Sequence, residues 1–150
     1  MNNLPAVTKN LLIINVLCFM GALVARRYGV DLNDLLGLHF FMASDFKLHQ
    51  LVTYMFMHGD FSHLFFNMFA LYMFGGLLER VWGSKRFLIY YIVCGVGASL
   101  FQMGIAQIDL SHLEIGSRVW IDYMQTPTVG ASGAIFGLLL AFGMLHPNAT

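Results

Sequence analysis

Charge is what this sequence has least of. Aspartate, glutamate, lysine and arginine make up 11% of its 150 residues, against roughly 25% in an ordinary soluble domain. Basic and acidic residues number eight each, so the formal net charge is zero. Nucleic-acid binding rests on excess lysine and arginine neutralising phosphates, and no such partner is expected here. Cysteine is limited to Cys18 and Cys94, both inside apolar runs. They read as buried thiols, not as a disulfide. No zinc-ligand spacing occurs, and neither metal nor cofactor is expected. The first apolar run has no small-residue cleavage site after it, so it reads as a retained span and not as a removed signal peptide.

Apolar residues supply 58% of the chain, and the few charges cluster, leaving long uncharged runs. A membrane helix needs about 20 mostly apolar residues, within a range of ~17–25. The pattern predicts an all-α polytopic membrane protein with four transmembrane helices, at about 10–26, 61–79, 87–108 and 128–145. The first has only 16 uncharged residues, Asn10 to Ala25, but Arg26 and Arg27 can snorkel to the interface. Pro127 and Pro147 bracket the fourth. Residues 28–60 mix apolar clusters with Asp31, Asp34, Asp45 and Lys47. No window there can cross, which predicts a long first loop with short helices at the membrane interface. Lysine and arginine divide evenly between the two faces. The short turn from Glu79 to Arg86 concentrates three positive charges against a helix end, which favours that face, and with it the N-terminus, as cytoplasmic.

Two groups of residues break the apolar pattern. Gly130-Ala131-Ser132-Gly133 opens the fourth span. Glycines let backbone or substrate come close, and a helix start aims free N–H groups at its first residues. A serine attacking a carbonyl needs such donors. The competing reading is close helix packing, since Gly133 and Gly137 are spaced as GxxxG. The other group is His63 and Asn67, one helical turn apart on one face of the second span. Spans two and four begin on the same side of the membrane, so His63 and Ser132 share a depth. As isolated polar residues, His63 and Asn67 read first as interhelical glue. With a serine at matching depth, an oxyanion hole becomes the leading reading. His58 and His63, five apart, do not make a pair of metal ligands on one helical face.

His58-x4-His63-x3-Asn67, then Glu79-Arg80-x2-Gly83-Ser84, then Gly130-Ala131-Ser132-Gly133 resembles the motif order of rhomboid intramembrane serine proteases, over about residues 46–146. The resemblance implies a rhomboid-like helical bundle with six core helices, of which this chain carries the first four. It implies Ser132 as nucleophile and His63, Asn67 and the Ser132 backbone N–H as oxyanion hole, with His58, Gly130 and Gly133 in support. Substrates would be single-span membrane proteins cut within the lipid bilayer. The expected location is a bacterial cytoplasmic membrane. Two departures stand out. Many relatives carry Trp-Arg where this chain has His49-Gln50, which bears on the packing of the first loop. The family's basic histidine lies on a sixth span, so the catalytic base is not expected among these residues, and the chain alone is expected to be inactive. His146 is 14 residues beyond Ser132 on one helix, about 21 Å away. His112 lies in a polar loop, and His39 and His49 belong to the interfacial loop. Two other classes remain in play: a non-enzymatic rhomboid-like protein that binds transmembrane helices, and a transporter. A transporter would show paired broken helices in related halves, and no second half is visible.

Overall fold

A computed structural model gives the fold over residues 3–148. Among these residues, three helices are long and apolar enough to cross a membrane: α1 (Ala6–Arg27), α4 (Phe61–Trp82) and α5 (Ser84–Ser111). Short helices α2 (Leu32–Leu36) and α3 (Gln50–Thr53) sit in the first loop, with a 3₁₀ turn at Tyr54–Phe56. Helix α6 (Arg118–Gln125) occupies the loop after α5, and α7 (Ser132–Leu145) follows. The long first loop built from short helices is the arrangement the scattered charges predict.

Helix α7 differs from the expected fourth span. It starts at Ser132, not near Thr128, and has 14 residues, about 21 Å at 1.5 Å per residue. That is short of the ~30 Å hydrocarbon core. The four residues ahead of it are taken up otherwise. Thr128 and Leu38 exchange both backbone hydrogen bonds, at 2.8 and 2.9 Å. Gly130 has φ +121°, which no helix admits and which side chains rarely adopt. An uncharged run contains no mark of either event.

The other spans are longer than their uncharged cores, because terminal charges stay in the helix while their heads reach water. Gly83, at φ +81°, makes the single-residue corner between α4 and α5. Within α4 the residues Leu71–Gly75 form a π turn. The core gathers Leu11, Tyr54, Met55, Leu71, Phe87, Tyr91 and Leu138 between the helices. Outward positions such as Leu17, Met20, Phe66, Phe101, Phe136 and Met144 are apolar and exposed. Helix α7 packs against α5 through its glycines. A Cβ on Gly133 would collide with Ala98, and one on Gly137 would lie 2.5 Å from Cys94 Sγ. Tyr90 closes this seam by donating from its hydroxyl to the Gly137 carbonyl at 2.8 Å.

Polar side chains tie the ends of the bundle. Glu79, 2% exposed, caps the start of α1 from a distance. Its carboxylate accepts from the Val7 and Thr8 amides at 3.0 and 2.7 Å, and from the hydroxyls of Thr8 and Ser84 at 2.8 and 2.6 Å. A helix start offers free N–H groups and a positive dipole end, so a carboxylate is the fitting partner. Gln50 organises the first loop. Its Oε1 accepts from the His39 and Lys47 amides, and its Nε2 donates to the carbonyls of Leu35 and Asp45. His49 beside it is exposed. The His49-Gln50 pair thus holds the loop through the amide of Gln50, buried to 1% exposure.

Candidate functional site

Asp60 sets the site by capping α4: its carboxylate accepts from the His63 amide at 2.8 Å. That fixes His63 in the first turn, half-buried, with Asn67 one turn on and buried. Both side chains converge on Gly130. A Cβ there would lie 2.6 Å from His63 Cε1 and Nε2 and 3.6 Å from Asn67 Nδ2. Only a glycine lets the chain pass so close beneath these two groups. Two residues on, Ser132 opens α7 and is half-buried. Ile135 N makes the first helical bond, to Ala131 O. The amides of Ser132, Gly133 and Ala134 ahead of it therefore have no partner within the helix.

His58 stands behind this pair. Its Nε2 lies 3.1 Å from Asn67 Nδ2, and its ring meets His63 edge-on at a centroid distance of 5.0 Å. Burial, then the charge of a protonated His63, lowers His58 to about 4, with the Phe56 carbonyl opposing weakly. A neutral His58 can accept at Nε2 from the Asn67 amide and so hold that amide in place. The backbone carbonyl of His58 also accepts from Asn33 Nδ2 of the first loop, at 3.0 Å.

Tyr54 links the site to the loop and to α5. Its carbonyl accepts from the Gly130 amide at 2.9 Å, and its hydroxyl donates to the Gly95 carbonyl at 2.5 Å. Burial pushes its phenol up to about 12, so it remains a donor. Nothing in the sequence pattern marks Tyr54, Glu79 or Gln50 as anchors. The only trace of them was position: Glu79 within the second motif, Gln50 at a departure from the usual pattern.

The structure therefore brings His58, His63, Asn67 and Gly130 together, with Ser132 next to them in the chain. Gly133 is placed instead against Ala98 of α5, so the packing reading holds for that glycine. The remaining histidines lie elsewhere. His39 is bound to Asp34 in the first loop, His49 and His112 are exposed, and His146 follows the last turn of α7.

These features define an integral membrane protein of helical spans, with a polar cluster gathered where a short serine-led helix begins. Comparison with known proteins narrows the class. The rhomboid domain matches residues 45–150, and the chain belongs to the rhomboid family. It is 34% identical over 105 residues to the mitochondrial RHOMBOID-like protein 12 of Arabidopsis thaliana, covering 69% of this chain and 31% of that protein. It is 38% identical over 89 residues to the rhomboid protease AarA of Providencia stuartii, covering 58% and 30%. With the rhomboid protease GluP of Bacillus subtilis it shares 38% over 90 residues, covering 60% and 14%. The chain thus spans about a third or less of the length of these relatives.

Proposed function

We propose that this chain is part of an intramembrane serine endopeptidase acting on transmembrane segments of single-span membrane proteins. The observation that carries the reading is the convergence of His63 and Asn67 on Gly130, two residues ahead of Ser132. In this reading Ser132 Oγ attacks the scissile carbonyl. The oxyanion formed is met by the Ser132 backbone N–H, the Asn67 amide and the His63 ring, and His58 positions Asn67. Preorganised donors of this kind act most strongly where water is scarce. The family match and the protease relatives support the same chemistry. The serine needs a base within hydrogen-bond reach, ~2.6–3.2 Å. His58 and His39 are engaged elsewhere, His63 serves the oxyanion, and the other three lie off the site. The base is therefore proposed to come from a segment other than these residues, and the 150-residue chain by itself is expected not to turn over substrate. The proposed setting is a bacterial cytoplasmic membrane with the N-terminus inside.

The test is a serine-directed fluorophosphonate and a single-span reporter, applied to the complete protein and to residues 1–150, each with Ser132→Ala. Labelling and cleavage by the complete protein should vanish in Ser132→Ala, with the thermal midpoint unchanged. Cleavage that survives this change sinks the nucleophile assignment. Cleavage by the 150-residue chain overturns the assignment of the base.

A further inference from the structure

A groove of about 180 Å³ lies on the outside of α4, at the end of the bundle where α1 begins. It is lined by Leu4, ahead of α1, and by Tyr72, Met73, Gly76, Leu77 and Arg80 of α4. A Cβ on Gly76 would come within 3.2 Å of Leu4 Cδ1, so the glycine lets the chain ahead of α1 lie against α4. Tyr72 to Arg80 is eight residues, about 12 Å along the helix. Arg80 stands three residues before the Gly83 corner that ends the span, which puts its guanidinium at the membrane interface. Tyr72, Met73 and Leu77 are exposed on the same span, deeper in the bilayer. None of the residues used by the proposed serine chemistry lines the groove.

Charge selects the occupant. Arg80 is exposed and makes one long hydrogen bond, from Nη2 to the Asn3 carbonyl at 3.4 Å, and no ion pair among the described residues. A guanidinium carries five N–H donors in a fork that matches phosphate oxygens. Lys9, Lys85 and Arg86 are exposed at the same end. The carboxylate of Glu79 beside them is turned inward, onto the Val7 and Thr8 amides and the Ser84 hydroxyl. The exposed carboxylates of Asp31, Asp34, Asp45, Asp60, Glu114 and Asp122 belong to the loops at the other end. An anion at Arg80 therefore meets positive charge alone, and the apolar groove leading from it lies along a membrane span.

We infer that this groove binds an anionic phospholipid, its phosphate on Arg80 and an acyl chain along Leu77, Met73 and Tyr72. A zwitterionic lipid offers the same phosphate but brings its own cation up to this basic end. Soluble phosphates lack the chain. Site and occupant are independent of the serine chemistry.

The experiment places the complete protein in nanodiscs of choline phospholipid doped equally with phosphatidylglycerol or phosphatidylethanolamine, and counts retained lipids by native mass spectrometry after release into detergent. Phosphatidylglycerol should be retained about fivefold over the other two, the scale of one basic side chain at a membrane surface. Arg80→Gln, at an exposed position, should bring the three lipids level without changing the thermal midpoint in detergent. Lys85→Gln, the same charge change at the same end but outside the groove, should keep most of the preference, and Arg27→Gln at the far end should keep all of it. Soluble glycerol phosphate at equal concentration should not displace the lipid. Equal retention of the three lipids by the wild type overturns the inference. So does a loss in Lys85→Gln as large as in Arg80→Gln, which would assign the effect to the diffuse charge of that end, or displacement by glycerol phosphate.

Discussion

His58 makes the site's dependence on pH explicit. Its ring is lowered to about 4 from an ordinary 6.5, by burial first and then by His63. Between those values the unfolded chain binds a proton that the folded chain does not. The stabilisation is therefore complete above the unfolded value and is lost as pH falls from about 6.5 towards about 4. Thermal midpoints in detergent should fall across that window, and the fall should be shallower in His58→Gln. Parallel curves would show that His58 is not the titrating group. Asn67 carries the next prediction. Removing one oxyanion donor costs about 10²–10³ in turnover in serine hydrolases. If the proposed oxyanion role holds, Asn67→Ala in the complete protein should lower kcat on that scale with KM little changed, whereas loss of thermal stability alone would leave it as a helix-packing residue. Gly130→Ala should be at least as severe, because the new Cβ would press on His63 from 2.6 Å at φ +121°. Gly143→Ala meets nothing within 4 Å and serves as the neutral control.

At the scale of elements, Gln50 should act as the clasp of the first loop. Gln50→Ala leaves four backbone groups without their side-chain partner. Limited proteolysis between residues 35 and 50 should then quicken while the three long spans stay protected; unchanged cutting would show the loop is held by its apolar contacts. How much of this was legible in the sequence differs by element. The three long spans could be read because lipid exposure on most sides forces a run without charge. The interfacial loop could be read because Asp31, Asp34, Asp45 and Lys47 interrupt every such run. The start of α7 could not, because Thr128–Ala131 is as uncharged as the helix after it, and its extended path depends on Leu38 far back in the chain. His63 and Asn67 stood out as polar residues in an apolar span. Gln50 and Glu79 did not, since a side chain that works by folding back onto distant backbone leaves no periodic trace.

For the molecule as a whole, the carboxylate of Glu79 is the bond between the chain's beginning and its middle. Glu79→Ala should lower stability by about 1–3 kcal/mol, the cost of leaving buried donors unpaired, read as a drop in thermal midpoint in detergent. Glu79→Gln should fall between the two, keeping acceptor shape at one oxygen but losing the charge that suits a helix start. Equal stability of all three would show that the amides of α1 find water instead. The same carboxylate also bears on how the protein is made. Val7 leaves the ribosome 72 residues before its partner. Until α4 has been made, the first turn of α1 has no carboxylate to close it. The cap can form only when Glu79 lies on the face that holds the start of α1, so its closure fixes the two spans relative to each other. A chain with one of the two spans inverted has Glu79 and the start of α1 on opposite faces, and the amides of Val7 and Thr8 are then without this carboxylate.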